Sequence, residues 1–172
     1  MGREFYEAME FKIKVGVITV SDRCFRRERR DESGAIIKEL VEEKLKGQVN
    51  FYTIVPDEWE PIKSAILQAV DEYSVDLLLT TGGTGLSRRD ITPEVTATLI
   101  EKEVPGISEI MRVEGFKNNP FSVLSRGICG LKKGTLIINL PGSPNGVKEC
   151  FLTILPVLVH AIKTIKGLPD FH

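Results

Sequence analysis

The chain has 172 residues, enough for one domain with a sizeable core. Its 23 basic residues nearly balance 24 acidic ones, and the formal net charge of −1 argues against a generic polyanion binder such as a non-specific nucleic-acid protein. The 42% hydrophobic and 27% charged content is ordinary for a globular protein. No apolar run approaches transmembrane length, and Met1 to Phe11 shows no signal-peptide pattern, so no membrane association is expected. Cys24, Cys129 and Cys150 are odd in number and lack Cys-x-x-Cys spacing, which fits a reducing, cytoplasmic compartment. The histidines, His160 and His172, lie near the end, so a histidine-based metal site is not expected.

Lys14 to Val20 is a β-branched run, apolar on both faces, and ends at Ser21-Asp22-Arg23. Cys24 to Asp31 reads as an exposed loop. Its Arg26, Arg27, Arg29 and Arg30 suit either a solvated surface or attraction of an anionic substrate. Ser33 or Gly34 opens a helix to about Lys46, with a stripe of Ile36, Ile37, Leu40, Val41 and Leu45 and a stop at Gly47. Val49 to Val55 is a second strand, ending at Pro56-Asp57-Glu58. The next helix carries Ile62, Ala65, Ile66, Ala69 and Val70 on one face.

Val75 to Thr81 is the third strand. It leads through Gly82-Gly83-Thr84-Gly85 and Asp90 to a helix with Thr92 as N-cap and Pro93 at its first position. Pro105-Gly106 breaks that helix. Ile107, Ile110, Met111 and Val113 suggest another short helix, bearing Glu109 and Arg112. Phe121 to Gly130 fits helix or strand equally. Thr135 to Leu140 is the last clear strand, ending at Pro141-Gly142-Ser143-Pro144. Pro156 is expected to kink or split the apolar helix that follows.

Four strands alternating with helices call for a three-layer α/β/α domain with a mostly parallel sheet, one domain over residues 1–172 with its core at about 12–166. Ligands of such sheets bind outside the carboxyl ends of the strands, so all four polar or glycine-containing ends should line one edge. Gly82 to Gly85 is no Walker loop, because no lysine follows, and no dinucleotide fingerprint, because the third glycine is missing. It remains a tight turn or a nest of N–H groups for phosphate. Asp57 and Asp90 reach the same edge from different loops. They suit Mg²⁺ beside phosphates or acid/base work. A plainer role also exists for each: Asp57 at a helix start, and Asp90 paired with Arg88 or Arg89.

Thr80 to Gly85 followed by Arg89-Asp90-Ile91-Thr92-Pro93-Glu94 resembles the MoaB/Mog family of molybdenum-cofactor biosynthesis. Ser21-Asp22-Arg23, Asp31-Glu32-Ser33-Gly34, Pro56-Asp57-Glu58, Ser125-Arg126 and Asn139 to Pro144 extend the resemblance, which is nearer to the Mog branch of molybdopterin adenylyltransferases. It implies transfer of AMP from ATP to the terminal phosphate of molybdopterin, with release of pyrophosphate. The alternatives are a non-catalytic molybdopterin binder and an unrelated nucleotide-sensing protein. On this reading Asp57 and Asp90 hold Mg²⁺ and position substrates. Gly82, Gly83, Thr84 and Gly85 cradle nucleotide phosphates, and Ser21 and Asp22 line the same pocket. Ser125, Pro141, Gly142 and Ser143 shape the nucleotide or pterin side, and Glu109 and Arg112 are weaker candidates. The resemblance also implies a homotrimer and a separate protein for molybdate insertion. The arginine-rich stretch from Cys24 to Arg30 departs from the family pattern.

Overall fold

In a computed structural model describing residues 11–169, six strands form one sheet. They are Lys14–Val20 (β1), Gln48–Val55 (β2), Leu77–Thr81 (β3), Lys102–Glu103 (β4), Cys129–Lys132 (β5) and Thr135–Leu140 (β6). The helices are Asp22–Phe25 (α1), Glu32–Leu40 (α2), Trp59–Leu67 (α3), Thr92–Leu99 (α4), Pro105–Asn118 (α5) and Pro144–Ile165 (α6). The leader reading of the N-terminus, up to residue 10, and His172 fall outside the described residues.

The strand order is β2-β1-β3-β6-β5-β4. β2, β1, β3 and β6 run parallel, and β5 and β4 complete the sheet antiparallel. This is the expected three-layer α/β/α arrangement with a mostly parallel sheet. Every residue of β3 and β6 is buried, which requires cover on both faces. Leu77 and Leu79 face a cluster with Ile37, Phe151, Ile154 and Leu158 from α2 and α6. Leu78 points the other way, into a cluster with Ile62, Ile66 and Val95 from α3 and α4. The side-chain alternation of an extended strand thus supplies two cores from one apolar run.

Several expectations are corrected. The stretch after β1 begins with the short helix α1, because Ser21 accepts a hydrogen bond from the Cys24 backbone N–H and so caps it. Asp31 caps α2 through the Gly34 N–H, so the helix starts before Ser33. α2 continues as a wider π-turn over Val41–Leu45, and Lys46, not Gly47, takes the left-handed stop with φ 56°. Thr92 lies inside α4; its hydroxyl donates to the Gly82 carbonyl instead of capping the helix. Residues 121–130 hold a 3₁₀ turn, Pro120–Leu124, and the start of β5.

α6 runs unbroken through Pro156. A proline removes one helical N–H, and the buried ladder Phe151, Ile154, Leu158 and Ile162 holds both halves on the sheet. α6 is also long and apolar enough by length and composition to cross a membrane, contrary to the expectation that no run reaches that length. In this fold one of its faces is a core face.

Candidate active site

The sheet places the ends of β1, β2, β3 and β6 on one edge, as expected. The chain leaves β1 toward β2 on one side and returns to β3 on the other, so β1/β3 is the switch point in strand order. Two cavities open along this edge. The larger, about 1020 Å³, is lined by Gly83, Thr84, Gly85 and Asp90 from the β3–α4 loop and by Ser125, Pro141, Gly142 and Ser143. Arg112 also lines it, while Glu109 is an exposed residue outside its wall. The smaller, about 330 Å³, includes Ser21 and Gly82 and shares Gly142 and Ser143 with the first. Asp22 and Asp57 belong to neither wall.

The glycine turn is pinned at both residues that need glycine. Gly82 has φ 97° and Gly83 φ 67°, a region that side chains rarely adopt. The Thr92 backbone N–H donates to the Gly83 carbonyl at 3.1 Å, and its hydroxyl to the Gly82 carbonyl at 3.0 Å. The turn is therefore fixed by the start of α4, and its shape does not wait for a ligand.

Asp57 lies beside this turn, with Oδ1 3.3 Å from where a side-chain carbon on Gly83 would sit. The loops after β1 and β2 are stitched reciprocally: Asp22 N–H donates to Asp57 Oδ2, and Asp57 N–H to Asp22 Oδ1, each at 3.0 Å. Arg89 closes the group by donating Nε to Asp22 Oδ2 at 2.6 Å and Nη2 to Asp22 Oδ1 at 2.9 Å. Both oxygens of Asp22 are committed, so it clamps two loops together and lines neither cavity. The Arg89 bond holds the Asp22 carboxyl below its ordinary range. Arg89 is thus taken by Asp22, not by its neighbour Asp90.

Asp90 accepts the Ser87 N–H through Oδ2 at 2.9 Å. The loop carrying it is gripped by Arg126, a residue of the Ser125-Arg126 block to which the sequence had assigned no role. Its Nε donates to the Gly85 carbonyl at 2.7 Å, Nη2 to the Asp90 carbonyl at 2.6 Å, and Nη1 to Glu94. Arg126 N–H also donates to the Thr84 carbonyl at 2.9 Å. One guanidinium fork thus spans the glycine turn, the acid and the following helix. Its signal in the sequence was its membership of the Ser125-Arg126 block.

Burial, first, pushes the Asp57 carboxyl up; the negative charges of Asp22 and Asp90 add to this, and the Asp22 N–H opposes it. A carboxyl whose folded pKa is raised weakens the fold above that pKa and is neutral to it in acid, where both states are protonated. Asp57→Asn keeps an oxygen for the Asp22 N–H and removes the half-buried charge. Its melting temperature is expected to exceed wild type near neutral pH, with the gain fading as pH falls. Thermal melts across pH check this; an equal offset at every pH would refute the assignment.

The chain matches the family described as probable molybdopterin binding domain over residues 16–160. It is 40% identical over 156 residues to a molybdopterin adenylyltransferase of Helicobacter pylori, covering 90% of this chain and 89% of that protein. It is 43% identical over 153 residues to the molybdenum cofactor synthesis protein cinnamon of Drosophila melanogaster, covering 89% of this chain but only 26% of that protein. The crystal structure of the molybdopterin biosynthesis enzyme MoaB from Thermus thermophilus shares the fold with a TM-score of 0.86 at 45% identity, covering 91% of this chain and 98% of that one. Matched in sequence and in fold over most of its length, the chain belongs to the MoaB/Mog family of probable molybdopterin binding domains.

Proposed function

We propose that this protein is a molybdopterin adenylyltransferase, moving AMP from ATP to the terminal phosphate of molybdopterin and releasing pyrophosphate, in molybdenum or tungsten cofactor biosynthesis. The observation that carries the reading is the cavity of about 1020 Å³ that joins a fixed glycine turn to Asp90. The named activity of the Helicobacter pylori relative supports it. A phosphate nucleophile is already ionised near neutral pH, so no strong base is required. The protein has to bring two anions together, offset their repulsion and hold them in line.

Asp57 and Asp90 are suited to hold Mg²⁺ with help from the substrates. Each uses Oδ2 on a backbone N–H, leaving Oδ1 without a hydrogen-bond partner among the described residues. No group of three or more His, Cys, Asp or Glu among the described residues forms a closed metal cage. Two carboxylates fit an ion that keeps waters and takes phosphate oxygens. Bound Mg²⁺ supplies positive charge against the phosphates. The chain's own part is to hold both carboxylates beside the glycine turn through the Asp22–Arg89 clamp and the Arg126 fork.

We assign the reaction to the cytoplasm and the working state to a homotrimer. The exposed apolar side chains Val113, Phe116, Phe121 and Val123 supply contact surface, and sedimentation velocity tests the assembly. The function itself is tested by incubating the protein with molybdopterin, ATP and Mg²⁺. Pyrophosphate release that depends on all three, with adenylylated molybdopterin as product, is expected. Molybdopterin binding without AMP transfer would make the protein a non-catalytic binder. ATP binding without molybdopterin binding would point to a nucleotide sensor.

A further inference from the structure

Beside the larger cavity, the smaller one carries two arginines that have no part in the glycine turn or the Asp57–Asp90 pair. It lies at the switch point, walled by Ser21, Thr81, Gly82 and Gly142 from the ends of three parallel strands. Arg29 and Arg30 complete it. Neither guanidinium has an ion-pair or hydrogen-bond partner among the described residues, whereas Arg26 is paired with Glu28, Arg89 with Asp22 and Arg126 with Glu94. Two carboxylates share the wall. Asp31 is already engaged by the Gly34 N–H, the Thr19 hydroxyl and the Tyr52 hydroxyl, and Glu32 stands at the junction with the larger cavity. Of the charged wall groups without a partner among the described residues, two guanidinium groups stand against the single Glu32 carboxylate.

We infer that this smaller cavity is a polyphosphate subsite, in which Arg29 and Arg30 hold the β- and γ-phosphates of ATP and then the leaving pyrophosphate. The inference rests on the proposed adenylyl transfer for the identity of its ligand. It also gives that transfer a direction. The turn of Gly82 and Gly83 divides the cavities: Gly82 lines the smaller, Gly83 the larger, and both walls meet at Gly142 and Ser143. An α-phosphorus at this partition has molybdopterin on one side and the leaving group on the other, as in-line displacement requires. A terminal phosphate oxygen of molybdopterin forms a bond to the α-phosphorus. The bridging bond from the α-phosphorus to the β-phosphate oxygen breaks, and its electron pair leaves with pyrophosphate. Arginine is suited to the leaving group, because its planar fork stays charged and matches phosphate oxygens.

The test uses the full chain, with Arg29→Ala and Arg30→Ala combined, against a control with Arg23→Ala and Arg27→Ala. The control removes the same charge from the same segment but from residues outside the cavity wall. Inorganic pyrophosphate binding is measured by calorimetry, and product inhibition and KM by steady-state turnover. The Arg29/Arg30 variant is expected to bind pyrophosphate at least about tenfold more weakly and to show a KM for ATP raised by a similar factor. The KM for molybdopterin stays unchanged, and the control stays near wild type. Equal losses in both variants would mean general electrostatic attraction and overturn the subsite, as would unchanged pyrophosphate affinity. Pyrophosphate binding lost only in the Arg29/Arg30 variant, in a protein that transfers no AMP, keeps the subsite and rejects the reaction. AMP transfer insensitive to both arginines does the reverse.

Discussion

Asp90→Asn is expected to lower AMP transfer by about 10²–10³-fold while leaving the fold intact, the scale seen when one preorganised electrostatic group is removed from a site. Asparagine has the same size and retains an oxygen for the Ser87 N–H, and the Arg126 fork grips the Asp90 carbonyl, not its side chain. The loop should therefore keep its place, and a thermal melt should be near that of wild type. What disappears is one negative charge on the wall of the larger cavity. If Asp57 and Asp90 hold one cation together, losing either disables the pair, and their effects will not add. The double variant Asp57→Asn/Asp90→Asn should then be only slightly slower than Asp90→Asn alone. Multiplying losses would assign the two acids separate tasks. Transfer at the wild-type rate in Asp90→Asn would remove that residue from the mechanism.

The central parallel strands were legible because β1, β3 and β6 are buried on both faces. Lys14 to Val20 and Thr135 to Leu140 carry apolar side chains at successive positions, and that pattern has few other solutions at such lengths. The antiparallel edge was not. β4 is only two residues, Lys102–Glu103, both exposed, so its pairing with β5 leaves no periodic trace. Pro156 misled for a related reason: a local rule about one missing N–H was outweighed by tertiary packing of α6. In the site, strand ends could be read because loop chemistry follows each apolar run. What connects those ends could not. The bonds of Arg89 to Asp22 and of Arg126 to Gly85 cross 67 and 41 residues, and sequence spacing carries no record of such partners. Asp22 was therefore read as a pocket residue although it lines neither cavity and joins two loops, and Arg126 was quoted beside Ser125 without a role although it holds the loop that bears Asp90.

Gly82→Ala is expected to destabilise the fold by about 3–5 kcal/mol, a large part of the ~5–15 kcal/mol that holds an ordinary domain together. Two causes act together. At φ 97° an alanine is forced into a region it disfavours. Its Cβ would also stand 2.2 Å from the Val20 carbonyl oxygen, a backbone atom of β1 that cannot rotate away. Relief by moving the turn is restrained from the other side, because the Gly82 N–H donates to the Leu140 carbonyl at the end of β6. Two further glycines separate these causes. Gly134 has φ 81° with nothing near its would-be side chain, so Gly134→Ala should cost only the strain, about 1–2 kcal/mol. Gly106 has open space and no positive φ, and it sits in α5, where alanine should stabilise by about 0.5–1 kcal/mol. Urea unfolding of the three variants, compared by midpoint at constant slope, gives the order directly. If Gly82→Ala lost no more than Gly134→Ala, the β1 and β6 ends would have to be free to part. A turn that yields so easily could not serve as a rigid partition between two substrate cavities.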